Sequence, residues 1–435
     1  MNIEKLPSCD DPFDSLLPVE EARARMAAAL QVVTQTQELS LLDSIGRVLS
    51  VDVVSPVNVP AHANSAMDGY AIAAASIPGD GTRDLQIIGT AWAGKVFNGN
   101  LEAGQAVRIF TGAIMPSGAD TVVIQEHVSA TDQLVTIDRD VEPGRNVRLA
   151  GEDVQCDQII LTKGTQINAA EVGVLASLGI NKVNVYRTLR VAFFTTGDEL
   201  QALDEYADAQ KDAQNDEHTV PELEPGMLFD SNRYSLHAML RRLDIDVIDI
   251  GIVRDNADDT RAAMQKAASS ADVIVTSGGV SAGDADFVTQ VFHELGNVSF
   301  WKLAMRPGRP LAFGQIGDAF FFGLPGNPVA VMVTFLQFVQ PAIKQMMGLV
   351  STDPYTINAI CLSTLRKSAG RVEYQRGVLA NDEQGNLTVS STGKQGAGRI
   401  SSMSAANCLI VIRADKSGVS PGDIVEVQPF MGLFG

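Results

Sequence analysis

The sequence predicts a multidomain protein of mixed α/β plus all-β class: a central doubly wound α/β domain, an all-β insertion domain, a small C-terminal β-barrel and a discontinuous N-terminal mixed domain. Three observations carry this expectation. At 435 residues the chain exceeds what one hydrophobic core serves, and 45% apolar with 20% charged residues is ordinary globular composition. From Leu189 onward, continuous apolar runs alternate with amphipathic ones, the pattern of a parallel sheet covered by helices on both faces. Regions 55–148 and 347–435 hold instead short β-prone runs broken by turn residues.

Pro18, followed by Glu20, Glu21 and a run of good helix formers, marks a helix start, with the helix ending near Val33. Leu85-Gln86-Ile87-Ile88-Gly89 and Ala106-Val107-Arg108-Ile109-Phe110 are representative strands of the all-β insertion, 55–148. Residues 149–186 return to a mixed pattern, with a helix over Ala169–Leu178 stopped by Gly179, and join 15–54 around the insertion as one discontinuous domain. The α/β domain spans 187–346: strands at Arg190–Thr195, Asp246–Val253 and Asp272–Ser277 alternate with helices from Asn232 and Asp258. Its last apolar stretch, Val329–Ile343, is interrupted by Thr334, Gln337, Gln340 and Pro341 and falls short of the roughly 20 residues that cross a bilayer, so it is a buried helix. Runs such as Cys408-Leu409-Ile410-Val411-Ile412 make 347–435 a small β-barrel.

Charge narrows the function classes. A net charge of -19 argues against a general nucleic-acid or anionic-membrane surface, so an anionic ligand requires a local basic patch. Cys9, Cys156, Cys361 and Cys408 form no CxxC pair and suggest neither disulfides nor zinc; with no cationic, apolar leader, the expected location is cytoplasmic. The histidines at 62, 127, 218, 237 and 293 have no metal-ligand spacing and receive no catalytic role.

In doubly wound folds ligands bind beyond the carboxyl ends of the strands. That rule selects the loops at 195–200, 277–287 and 324–329. Ser277, Gly278, Gly279, Ser281 and Gly283 allow backbone N–H groups close to a phosphate, without the lysine of a Walker motif; a plain turn explains the glycines equally well. Asn327 and Pro328 suit a helix start. Asp198, Glu199, Asp255, Asp284 and Asp286 crowd the same sheet edge, and such acids tolerate a phosphate when a hard cation such as Mg²⁺ lies between, although Asp198 and Asp284 also suit helix caps. Lys302, Arg306 and Arg309 supply the local cations.

Ser65-Ala66-Met67-Asp68-Gly69-Tyr70-Ala71, Thr111-Gly112-Ala113, Gly151-Glu152-Asp153, Thr196-Gly197-Asp198-Glu199-Leu200, Asp230-Ser231-Asn232, Gly278-Gly279-Val280-Ser281, Gly283-Asp284-Ala285-Asp286 and Leu324-Pro325-Gly326-Asn327-Pro328 occur in an order that resembles the molybdopterin molybdenumtransferases, a family that includes the carboxy-terminal region of gephyrin. The resemblance runs from about residue 15 to 430. It implies that the central domain binds molybdopterin and that molybdate is inserted into adenylylated molybdopterin with release of AMP, helped by Mg²⁺. By position it implies catalytic roles for Asp68, Thr111, Glu199, Asp255 and Asp286, with Glu199, Asp255 and Asp286 on the metal. Substrate binding falls to Asp153, Ser277, Gly278, Gly279, Ser281, Gly283, Asp284, Lys302 and Arg306, and to Pro325, Asn327 and Pro328 in the closing loop. A homodimer is implied, with a molybdopterin adenylyltransferase and cofactor-accepting proteins as further partners.

Three departures stand out. His62-Ala63-Asn64 replaces the usual Phe-Asp-Asn, Arg306 and Arg309 replace lysines, and an insert at 202–225 carries eight acids and one lysine, as a solvated loop would. Two other functions compete: adenylylation of molybdopterin, whose enzymes lack the insertion and the barrel, and a binding scaffold without turnover, which would not need Glu199, Asp255 and Asp286.

Overall fold

The structure, a computed structural model, describes residues 16–203, 223–279, 291–292, 294–350 and 353–430. Cys9, Ser281, Gly283, Asp284, Asp286, His218, His293 and most of the acidic insert lie outside the described residues. The chain divides into two compact units: Glu38–Val185, and the remainder, in which the segment up to Gln37 joins Tyr186 onward. The first helix, α1 (Val19–Ala29), thus belongs to the larger unit, whereas residues 38–54 and 149–185 fall in the smaller. This helix ends at Ala29, four residues before Val33, where Leu30 turns extended.

The larger unit is built on a six-stranded sheet of β1 (Arg190–Thr196), β2 (Asp246–Val253), β3 (Val273–Ser277), β4 (Gly296–Lys302), β5 (Pro310–Ile316) and β6 (Ala319–Leu324), in the order β2-β1-β3-β6-β5-β4. The strands β2, β1, β3 and β6 are parallel, as the alternating pattern predicts. The edge is not: β5 and β4 add antiparallel, so the sheet is mixed rather than wholly parallel. Helix α2 (Ser231–Arg241) connects β1 to β2, and α3 (Ala257–Ser270) leads back from β2 to β3. On one face Ala263, Met264 and Ala267 of α3 pack on Ala192, Phe194, Ile274 and Phe321. Their burial supplies about 25 cal/mol per Å² of apolar surface removed from water. The parallel register aligns Thr195 with Ser277, and Ser277 with Leu324, so that three strands end side by side and their loops emerge together.

Helix α4 (Pro328–Thr334) continues through a π-helical turn, Phe335–Val339, into Gln340–Met346, the buried helix expected at Val329–Ile343. Pro341 has no N–H for the Gln337 carbonyl, which instead accepts from Arg23 Nε at 2.9 Å. The Gln337 side chain donates to Gln428 Oε1 at 2.7 Å, joining this helix to the last barrel strand.

That barrel closes on itself. Strands Val372–Asn381, Leu387–Ser391, Ile357–Cys361, Ile424–Pro429 and Cys408–Ile412 follow in order, and the last pairs back on the first. Met305–Arg306 pairs in parallel with Val372–Glu373 as a short sixth strand. Among the described residues no helix is long and apolar enough to cross a membrane.

The smaller unit holds a second six-stranded sheet, ordered Thr121–Ile124, Gly69–Ile72, Gln105–Ile109, Thr82–Ala91, Leu134–Asp138, Ser129–Ala130. It is antiparallel except where Thr82–Ala91 runs parallel to Gln105–Ile109. Its inner face packs Tyr70, Ile72, Leu85, Val123 and Val135, while helix Ala169–Ser177 covers a separate small core around Leu49 and Val185. Glu171 accepts from the Asn168 N–H at 2.9 Å at that helix's start, and Gly179 follows its end with φ +72°.

Candidate active site

The aligned ends of β1, β3 and β6 open onto a cavity of about 520 Å³. Asp230 caps α2, accepting from the backbone N–H groups of Asn232 and Arg233 at 3.1 and 3.0 Å, and the Thr195 hydroxyl also donates to it. Capping fixes the first turn of α2, from which Asn232 Nδ2 donates to Ser277 Oγ at 3.0 Å and to the Gly326 carbonyl at 2.7 Å. Ser277 in turn donates to the Pro325 carbonyl at 3.2 Å. The α2 start, the β3 end and the loop after β6 therefore form one hydrogen-bonded frame. Among the described residues the buried Asn232 Oδ1 has no hydrogen-bond partner.

Gly278 and Gly279 leave β3 with φ of +97° and +67°, a conformation that side chains resist. A Cβ on Gly278 would also lie 2.6 Å from the Thr196 carbonyl oxygen, so the close approach of two strand ends demands glycine. Asn327 precedes α4 and Pro328 opens it, as expected of helix punctuation, though the Asn327 side chain makes no capping bond. Pro325 and Asn327 line the cavity.

Glu199 and Asp255 line it as well, and the Asp255 N–H donates to Asp198 Oδ1 at 3.1 Å. Partial burial and the charges of Asp198 and Glu199 raise the Asp255 pKa above the usual aspartate value. This repulsion is the kind a hard divalent cation relieves, and Mg²⁺ commonly takes one or two carboxylates with the rest of its shell from phosphate and water. Glu199 and Asp255 fit that description, although no three such side chains among the described residues are arranged as a ligand set.

Arg306 and Arg309 line the same cavity as these acids, Arg306 within the Met305–Arg306 strand and Arg309 shortly after it. Lys302, by contrast, ends β4 and does not line it. Arg306 sits 3.6 Å from Glu373, and its neighbourhood continues into a second cavity of about 490 Å³ shared through Arg306, Pro307 and Gln395. There Arg376 is 1% exposed. Its Nε donates to Ser402 Oγ at 3.0 Å and its Nη2 to the Gly396 carbonyl at 3.1 Å, yet among the described residues it pairs with no carboxylate. Burial, and then the Arg306 charge, lower its pKa to about 10, so it stays cationic at neutral pH. Arg376 has no local sequence mark of its importance beyond a cation-rich stretch; its burial comes from barrel closure.

In the smaller unit Asp68 Oδ1 accepts from Thr111 N at 2.8 Å and Thr111 Oγ1 at 2.7 Å. These bonds, with the Arg108 charge behind them, lower the Asp68 pKa. Asp68 and Thr111 are thus brought together, while Asp153 is exposed on a loop anchored by its N–H to the Val59 carbonyl at 3.0 Å. His237 stacks edge-on to Phe193 with centroids 6.0 Å apart, a packing role.

Residues 17–179 match the MoeA N-terminal region (domains I and II), 192–345 the probable molybdopterin binding domain, and 358–430 the MoeA C-terminal region (domain IV). A molybdopterin molybdenumtransferase of Haemophilus influenzae is 39% identical over 97% of this chain and 100% of its own length. One from Bacillus subtilis is 31% identical over 94% of this chain and 93% of its own. The crystal structure of a molybdopterin biosynthesis moeA protein from Pyrococcus horikoshii superimposes with a TM-score of 0.80 at 26% identity, covering 95% of this chain and all of that one. With carboxylates, paired glycines and cations around one cavity, and full-length similarity on both sides of it, this chain belongs to the molybdopterin molybdenumtransferase (MoeA) family.

Proposed function

We propose that this protein is a transferase of molybdenum cofactor biosynthesis that inserts molybdate into adenylylated molybdopterin and releases AMP. One observation carries the proposal: a single unit joins a paired-glycine turn and two carboxylates in one cavity to a buried guanidinium in the next that, among the described residues, pairs with no carboxylate. The backbone at Gly278 and Gly279 suits phosphate, and a name shared by relatives of matching length points to the same reaction.

In this reading Asn232 and Ser277 hold the phosphate loop in place before substrate arrives, so that little reorganisation accompanies binding. Glu199 and Asp255, with Asp286 from outside the described residues, would hold Mg²⁺, which when bound supplies neutralising charge to the phosphoryl oxygens. Arg376, held by Ser402 and the Gly396 carbonyl, and the more exposed Arg306 would present N–H donors to the molybdate oxyanion near the dithiolene sulfurs. No protein nucleophile is required, because the substrate sulfurs receive the metal. Asp68, fixed by Thr111, contributes a carboxylate that stays ionised at neutral pH. The proposal includes a homodimer in the cytoplasm, consistent with exposed apolar side chains such as Leu42, Ile45 and Leu149 on the smaller unit.

The test is AMP release from adenylylated molybdopterin, assayed with and without molybdate. Molybdate-dependent release that falls by at least about 100-fold in Asp255→Asn is expected, in line with loss of an electrostatic catalytic group. Release indifferent to molybdate would overturn the reading.

A further inference from the structure

A chain of net charge -19 repels the anions that the proposed reading brings to it, so their approach needs a local field of the opposite sign. One end of the barrel supplies it. Leu365–Arg366 pairs antiparallel with Gly418–Val419, which sets Lys367 beside the turn at 413–416. Lys367 Nζ donates to the Arg413 carbonyl at 2.8 Å and to the Lys416 carbonyl at 2.6 Å, and the Gly370 N–H donates to the Ala414 carbonyl at 2.8 Å. These bonds gather Arg366, Lys367, Arg371, Arg413 and Lys416, and Lys367 feels the charge of Arg371. Three acids share this end: Glu426 pairs with Arg413 at 3.0 Å, the buried Glu373 with Arg306 at 3.6 Å, and Asp415 is exposed on the turn. Glu373 and Asp415 also act on Lys367 from further away. Partners are plentiful, with 52 acidic against 33 basic side chains, yet among the described residues Arg366, Lys367, Arg371 and Lys416 form no ion pair.

We infer that this barrel end is an electrostatic funnel that steers small oxyanions into the second cavity, with Arg371 and Lys416 acting on the approaching ion and not on the bound one. Arg366 lines that cavity, so the cluster is continuous with its wall, whereas neither Arg371 nor Lys416 lines it. Distance decides which charges count. At physiological ionic strength a charge is felt over about 8 Å, so most of the net charge of -19 is screened at the cavity mouth and the cations beside it set the field. A nucleic acid would require a wider basic surface than one barrel end, against the charge of the whole chain. The inference rests on the proposed reading in taking the second cavity as the oxyanion site.

Stopped-flow mixing of the full chain with molybdate, followed by intrinsic fluorescence, gives the association and dissociation rates, and calorimetry gives the affinity. Arg371→Glu combined with Lys416→Glu should lower the association rate at least about threefold at about 0.1 M ionic strength and leave the dissociation rate within about twofold, as rim charges do. At about 1 M salt, where a charge is felt over about 3 Å, the difference should vanish. The same change of net charge on α2 and α3, Arg241→Glu combined with Lys266→Glu, should leave the association rate within about twofold. A loss that persists at high salt, a loss that the helix variants share, or faster dissociation with unchanged association overturns the funnel. Arg376→Met separates the two claims. If molybdate affinity does not depend on Arg376, the oxyanion lies elsewhere, and the proposed reading of the cavity fails and takes the funnel with it. If affinity needs Arg376 while association ignores Arg371 and Lys416, the funnel alone is wrong.

Discussion

Gly278 shows how much of the site is decided by a single residue. Its φ of +97° and the 2.6 Å approach to the Thr196 carbonyl both exclude a side chain. Gly278→Ala should cost about 1–3 kcal/mol, the range for a residue held in an unfavourable backbone region, visible as a lower Tm together with weaker AMP binding. An alanine variant with wild-type Tm and affinity would show that the loop relaxes freely. Glycine, proline and acidic positions of this kind were legible in the sequence, because their backbone preferences and their place after a strand are local properties. Arg376 was not. It appears in sequence only among other cations, and its 1% exposure arises where strands distant in sequence close around it. Lys302 and Arg306 illustrate the same limit: both are cations at strand ends, yet only Arg306 reaches the cavity.

Among the elements, the strand and helix alternation was readable, since parallel strands buried on both faces must be apolar throughout. The antiparallel edge escaped that reading because β5, buried continuously over Leu311–Gly314, looks like the parallel strands in sequence. The distinguishing signal was the two-residue Gly317-Asp318 turn between β5 and β6, with Gly317 at φ +60°, a hairpin connection far too short for a crossover. At the opposite end of the sheet, Asp272 ties β3 to β1. Its carboxylate accepts from Arg187 Nη1 and Nη2, both at 2.7 Å, and from Arg190 N at 2.8 Å. Burial alone would raise the Asp272 pKa, but these bonds and the two arginine charges outweigh it and lower it. A lowered folded-state pKa stabilises the fold above the ordinary aspartate value of about 3.9, and that contribution disappears as pH falls through the folded-state value. Asp272→Asn should therefore cost about 2 kcal/mol in denaturant unfolding at pH 7, typical of hydrogen bonds to a charged group, and progressively less below about pH 4. A pH-independent difference would mean that lost packing, not charge, dominates.

On the scale of the whole molecule, a net charge of -19 surrounds a site that, in the proposed reading, gathers anions. In that reading the cations that do so are Arg306, Arg309 and Arg376, which line the two adjoining cavities. Oxyanion binding there should stabilise the folded chain by mass action, about 2.7 kcal/mol when molybdate is at 100 times its Kd. Calorimetry should register an upward Tm shift of several degrees, absent in Arg376→Met and reduced in Arg376→Lys, which keeps the charge without the planar fork. An equal shift in Arg376→Met would place the oxyanion elsewhere.

The pairing of Met305–Arg306 with the barrel strand Val372–Asn381 also sets an order of assembly. A chain emerging from the ribosome presents β1 to β6 well before Ile424–Pro429, the strand that fills the gap between Ile357–Cys361 and Cys408–Ile412. Until that strand arrives the barrel is open between Ile357–Cys361 and Cys408–Ile412, although Val372–Asn381 already has both of its barrel neighbours. A chain truncated before residue 372 would therefore keep the Gly278–Gly279 turn and lose both Arg376 and the barrel strand that Met305–Arg306 pairs with.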